Sequence, residues 1–199
     1  MTALRLDVGH DVDVDVDIDI DGATLAAREL LSSLGVDVDA PDLRDTPRRM
    51  VASLSELLTP HEFQPTTFAN DEGYDEIVLA RGIPFSSLCE HHVLPFVGVA
   101  HVAYLPGDRI LGLSKLARVV EHLSRGLQVQ ERLTVQIANW LDDTLSPRGV
   151  GVVLEAEHLC MSIRGVRSTG SRTLTSRVTG ILRTDPRARQ EFFALCASP

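Results

Sequence analysis

Nowhere in its 199 residues does the chain carry the ~18 consecutive apolar residues that a membrane-spanning helix needs. Its opening, MTALRLDVGHD, also lacks the apolar stretch of a secretory signal. Together these absences make a cytoplasmic protein, with no membrane partner, the expectation. Cysteine is scarce: Cys89, Cys160 and Cys196 form an odd set without a secretory context. That argues against a disulfide framework and leaves metal binding, catalysis or plain burial. A basic surplus is missing too. The net charge of −9 does not suit a general nucleic-acid binder. Internal repeats and a strand–helix–strand rhythm are also lacking. Strands and helices arrive in blocks, which favours an α+β fold with an antiparallel sheet.

Much of the negative charge sits in HDVDVDVDIDIDG, at Asp11, Asp13, Asp15, Asp17, Asp19 and Asp21, so the body of the chain is only mildly acidic. The period of two is a strand signal, yet one face would hold nothing but like charges. Asp17, Asp19, Asp21 and Gly22 match the start of a calcium loop, but the twelfth position is Arg28 rather than Glu. A solvated, flexible extension over residues 1–22 is the simpler reading. Residues 23–34 read as a helix stopped by Gly35. RDTPRRMVASLSELLTP reads as a second helix, with Asp45 or Thr46 as cap and Pro47 in its first turn. Residues 61–73 read as a loop, and YDEIVLA and FVGVAHVAY as strands. SKLARVVEHLSRG and VQERLTVQIANWLDDTL carry apolar stripes of helical period. GVGVVLEAEHLC and SRTLTSRVTGIL read as strands, and PRARQEFFALC as a closing helix.

The densest chemistry lies in SSLCEHHVLPF. Cys89 and His92 stand in a C-x-x-H spacing that one tight turn can aim at a shared ion. Zinc takes nitrogen and sulfur ligands, and catalytic zinc usually has three from protein and one open position. On the strand 150–160, alternation puts Val150, Val152, Leu154, Ala156, His158 and Cys160 on one apolar face. Such a histidine and thiol are equally the pattern of a satisfied core histidine beside an inert cysteine. Two His/Cys pairs in one chain favour the metal. Cys196 is a rival ligand, but it lies in FFALC with no polar partner nearby.

Lys115, Arg118, His122 and Arg125 recur along one face of the helix that Ser114 begins. A charged face is usually just solvated. Here a helix start, with its free backbone N–H groups, and Arg164, which closely follows the Cys160 segment in CMSIRGVR, suggest a polyphosphate beside a metal. Gln130 and Glu131 open the next helix, where a carboxylate suits the helix dipole. A carboxylate there could also accept two hydrogen bonds from a guanidine-like edge.

Taken together, DTPRRM, PTTFAN, SLCEHHVLPFVGVAHVAYLP, GLSKLARVVEHLSR, LQVQERLTVQIA, EHLCMSIRGVR, GSRTLTSRVTG and EFFALC resemble GTP cyclohydrolase I, from about residue 44 to 196. The resemblance implies one zinc ion per subunit, on Cys89, His92 and Cys160, with acid–base roles for His91 and His158. Guanine would meet Gln130 and Glu131. The triphosphate would meet Lys115, Arg118, Arg164 and, from another subunit, Arg49, with Ser114 near the ribose. Implied too are GTP as substrate, 7,8-dihydroneopterin triphosphate and formate as products, a place at the start of tetrahydrofolate biosynthesis, and scope for allosteric control. The implied architecture is the tunnelling fold (T-fold): a four-stranded antiparallel sheet with two long helices on one face, preceded by N-terminal helices. Residues 23–60 and 61–199 would then form one catalytic domain. Copies would assemble into a decamer of two stacked pentamers, with active sites between subunits. Ala52 and Gly126 depart from residues frequent in the family. A relative of the fold that binds zinc through three histidines fits the Cys/His/Cys set less well, and one that uses a cysteine nucleophile without metal would be told apart by zinc content. A structural zinc site would need a fourth protein ligand, for which Glu90 is the nearest candidate.

Overall fold

The structure, a computed structural model, describes residues 18–197. The acidic alternation through Asp17 lies outside them. The chain divides into two compact units, meeting in sequence at Leu58 and Thr59.

Two helices form the described part of the first unit: α1 (Ile20–Ser33) and α2 (Thr46–Leu58). The first begins three residues earlier than expected. The physical reason is Asp19, whose side chain accepts from the Gly22 N–H at 2.8 Å and caps the helix. Asp21 then sits in the first turn, where its charge suits the helix dipole. Three residues of the expected acidic extension, Ile20, Asp21 and Gly22, therefore start a helix. Pro47 is in the first turn of α2, as its fixed φ favours.

The second unit is α+β. Its main sheet has the order β5-β2-β3-β6-β7, formed by β2 (Val78–Cys89), β3 (Pro95–Leu105), β5 (Leu127–Gln128), β6 (Gly149–His158) and β7 (Thr173–Val178). The β2-β3-β6-β7 pairings are antiparallel, but β5 runs parallel to β2 at Leu88–Leu127 and Cys89–Gln128. The sheet is thus mixed and five-stranded, not the expected four-stranded antiparallel one. A second, two-stranded sheet pairs β1 (Thr67–Ala69) with β4 (Arg109–Leu111), so the stretch expected as a loop contains a short strand.

One face of the main sheet carries Phe96, Ala100, Val102, Tyr104, Val150, Val152, Leu154 and Ala156. All are at most 1% exposed. They pack with Leu116, Val119 and Val120 of α3 (Ser114–Ser124) and with Leu133, Ile137 and Leu141 of α4 (Gln130–Leu145). At roughly 1.5–3 kcal/mol per fully buried large aliphatic or aromatic side chain, this layer is the main source of stability. On the opposite face, Ala103, Val153 and Val178 meet Leu182 of α6 (Gly180–Thr184) and Phe192 of α7 (Pro186–Ala197).

Two strand expectations are corrected at their ends. The alternation read through Cys160 stops at His158, and Leu159–Ser162 form a single helical turn, α5. The strand expected over 171–182 ends at Val178, because the chain enters α6 at Gly180, whose φ of +52° suits glycine.

Candidate metal centre

Cys89 is the last residue of β2, and the chain reverses directly after it. The Val93 N–H donates to the Cys89 carbonyl at 2.8 Å, and the Cys89 N–H donates to the Leu94 carbonyl at 2.9 Å. Val93 closes this turn at φ +53°. That is a costly left-handed conformation for a β-branched residue, of the kind that concentrates at functional sites. From the other side, β6 delivers the chain to α5 and Cys160. The ligand atoms of Cys89, His92 and Cys160 all lie within 4.8 Å of one another, with both thiols buried and His92 exposed.

Proximity to Cys89 alone would not single out His92. The Cys89 Sγ is 3.6 Å from His91 Nδ1 and 3.9 Å from His92 Nδ1. Only His92 shares the cluster with Cys160. Two sulfurs and one imidazole nitrogen at these separations suit tetrahedral zinc. Ligands roughly 2.0–2.3 Å from such an ion are themselves roughly 3.5–3.8 Å apart. Burial pushes the Cys160 thiol above its usual range, and the neighbouring Cys89 adds to this, while Arg164 opposes it. A cation in the cluster would reverse that balance, since coordination requires the thiolate.

Glu90 is turned to another task. Its Oε2 accepts from Arg132 Nη2 at 2.7 Å, and its Oε1 is 3.9 Å from His91 Nε2. Arg132, in the first turn of α4, also donates to Gln128 Oε1 at 3.0 Å and to the Leu127 carbonyl at 2.9 Å. The metal turn, β5 and α4 are thus tied by one guanidinium. No local sequence pattern marks Arg132 for this role.

His158 ends β6 with its ring stacked on Phe96, centroids 4.7 Å apart and planes 4° from parallel. Its Nε2 lies 2.8 Å from Gln130 Oε1. Burial lowers the proton affinity of this histidine, and the Glu131 carboxylate partly restores it. Glu131 itself is exposed at the start of α4, whereas Gln130 is 1% exposed.

The remaining expected residues stand on several separate elements. Ser114, Lys115 and Arg118 share the beginning of α3, with Ser114 and Arg118 exposed. No side chain caps that helix. A cavity of about 470 Å³ between α3 and β2 is lined by Arg118, Arg125, Phe85 and Ser86, among others. His122, part of the expected basic stripe, instead packs edge-on to Phe63 and lies 3.0 Å from the His61 carbonyl. Arg164 is exposed just beyond α5. Arg49 stands on α2 in the first unit, where it pairs with Asp45 at 3.3 Å. Cys196 is not in the cluster. It packs against the second apolar face, where burial raises its pKa to about 11.

Comparison with known proteins gives a consistent result. A family model described as GTP cyclohydrolase I matches residues 23–197. A protein named GTP cyclohydrolase 1 from Synechococcus sp. (strain JA-2-3B'a(2-13)) is 51% identical over 184 residues, covering 90% of this chain and 80% of its own. Its namesake from Sinorhizobium fredii is 49% identical over 175 residues, covering 85% of each chain. Another of that name, from Caldanaerobacter subterraneus subsp. tengcongensis, is 50% identical over 178 residues, 87% of this chain and 94% of its own.

Proposed function

From the premise that the chain belongs to the GTP cyclohydrolase I family, we propose that it opens the imidazole ring of GTP with zinc held by Cys89, His92 and Cys160, releasing formate and forming 7,8-dihydroneopterin triphosphate. The observation that carries this reading is the convergence of two thiols and one imidazole on one small cluster, with His91 beside it yet outside the cluster. Bound there, zinc makes water acidic enough to supply hydroxide at neutral pH.

The chain's own residues carry the rest. Water adds at C8 while N7 takes up a proton, and the C8–N9 bond then breaks to leave a formamide. A second water cleaves the formamide to formate and a free amine. The ribose opens, its carbons rearrange through an enol, and ring closure onto the amines returns one water, so one water is consumed overall. His91 and His158 are the acid–base groups for these transfers, since imidazole exchanges protons near neutral pH. Ser114 assists beside the ribose. Lys115, Arg118 and Arg164 neutralise the triphosphate, and Arg49 of another copy completes that contact. Glu131 accepts from the guanine edge, since the Gln130 amide is already committed to partners within the protein.

β7 ends the main sheet. Pairing such an edge with a second copy removes an exposed strand. In a tunnelling-fold assembly of this kind, repeated pairing closes a pentamer, and two pentamers stack into a decamer with active sites between subunits. Sedimentation of the purified protein tests that assembly. For the reaction, incubation with GTP should release formate and a pterin that becomes fluorescent on oxidation. Zinc-loaded protein that releases neither would defeat the proposal. Cys160→Ser should lose zinc and turnover together, whereas His91→Ala should keep zinc and lose turnover.

A further inference from the structure

We infer that Gln130 is a positioning residue: its amide oxygen holds the His158 ring with hydrogen on Nε2, so that Nδ1 is the ring nitrogen left free of this contact. This deepens the proposed function and rests on it.

The inference comes from the hydrogen-bond directions around one buried amide. Gln130 Nε2 lies 3.1 Å from the Leu154 carbonyl oxygen and 3.0 Å from the Thr173 carbonyl oxygen. Carbonyls only accept, so the amide nitrogen must face them. Its third neighbour, Thr175 Oγ1 at 3.1 Å, is consistent with this. Thr134 Oγ1 spends its hydrogen on the Gln130 backbone carbonyl at 2.7 Å. The 2.6 Å contact between the two threonine hydroxyls then requires Thr175 to donate and Thr134 to accept. Thr175 therefore offers Gln130 Nε2 a lone pair.

A flipped amide would set its oxygen against two carbonyl oxygens and lose both hydrogen bonds, at about 0.5–1.5 kcal/mol each. The orientation is thus fixed from three sides, and the amide oxygen faces His158 Nε2 at 2.8 Å. An amide oxygen cannot donate, so Nε2 must. Stacking on Phe96 fixes the ring plane as well. Gln130 thus prepares His158, and a direct contact with guanine is not required of it.

The first experiment needs no change at Gln130. Zinc-loaded enzyme labelled with ¹⁵N-histidine is compared by nuclear magnetic resonance with His158→Asn, whose missing signals assign the His158 ring. A protonated Nε2 with an unprotonated Nδ1 is expected, and the opposite tautomer overturns the inference. The second uses Gln130→Met, which removes the acceptor at similar size. It should keep the wild-type zinc content and a KM for GTP within about twofold, while kcat falls by about a hundred- to ten-thousandfold, the span that positioned acid–base catalysis contributes. A raised KM at unchanged kcat would instead make Gln130 a guanine-binding residue and end the positioning role. If Gln130→Met does not fold, the wild-type spectrum still decides. Failure of the functional reading looks different: wild-type enzyme would release no formate from GTP, whichever tautomer the spectrum reports.

Discussion

Replacing Glu90 with Gln would measure what holds the metal turn from outside. In the structure, Arg132 Nη2 donates to Glu90 Oε2 at 2.7 Å, with each side chain 34% exposed. Two unit charges ~4 Å apart at an effective dielectric of ~20 attract by about 4 kcal/mol before other costs. Desolvation and the ordering of two long side chains remove most of that. Hydrogen bonds to charged groups keep about 1.5–3 kcal/mol, and fully exposed pairs only about 0.2–1. A pair one-third exposed falls between these limits, at about 1–1.5 kcal/mol. Arg132 keeps its bonds to Gln128 and Leu127 in the variant, so the loss falls on the turn. Zinc affinity, measured by competition with a chelator, should weaken by about five- to thirteenfold. Bound zinc should stay at the wild-type amount when the metal is saturating. A loss of a hundredfold or more would refute this reasoning, because it would make Glu90 a ligand and the centre a closed structural site. No change at all would mean that the ion pair does not hold the turn.

Other perturbations probe the supporting frame. A Cβ on residue 98 would lie 2.0 Å from the Glu155 backbone oxygen and 2.7 Å from Ala156 Cα. Gly98→Ala should therefore cost about 3 kcal/mol in denaturant unfolding, and it should reduce zinc occupancy because Ala156 lies just before His158. An undisturbed unfolding midpoint would show that β3 and β6 can separate freely there. His101 offers a pH test away from the metal. Burial lowers its pKa below 6.5, Arg81 adds to this, and Glu155 opposes it. The unfolded chain thus takes up this proton first as pH falls, so the stability contribution is full above about pH 6.5 and is lost as pH drops through the folded value. The urea midpoint should fall between about pH 7.5 and about pH 5.5, and His101→Gln should flatten that slope. An unchanged slope would clear His101 of any part in it.

What was legible in the sequence divides along physical lines. The helical stripes of α3 and α4 and the alternation in β3 and β6 were readable because each runs for two or more turns, or five or more alternate residues, of one period. β1, β4 and β5 have three, three and two residues, too few for any period to register. The sequence pattern marks β2 only at its start, and the concealment of the rest has a local cause. Gly82, at φ +70°, sits in the irregularity between Ala80 and Ile83, and Pro84 follows. A proline within a strand argues against a central position. β2 tolerates it because β5 pairs only with Leu88 and Cys89, leaving β3 as the one neighbour of β2 at Pro84.

The site shows the same division. Spacing pairs Cys89 and His92 within a single turn, and Cys160 lies with them although the chain reaches it by a helical turn, not by the extended strand that alternation implies. The tasks of Glu90 and Gln130 had no such signature. Each depends on partners more than twenty residues away: Arg132 for one, and Leu154, His158 and Thr173 for the other. A ligand is legible in sequence because the metal constrains its spacing and type. A residue that orients a ligand or a base is chosen by the fold around it, so its identity says little until the strands on either side are in place. That is why Gln130, whose neighbour Glu131 reaches solvent, has its own side chain turned between β6 and β7 at the helix start the two residues share.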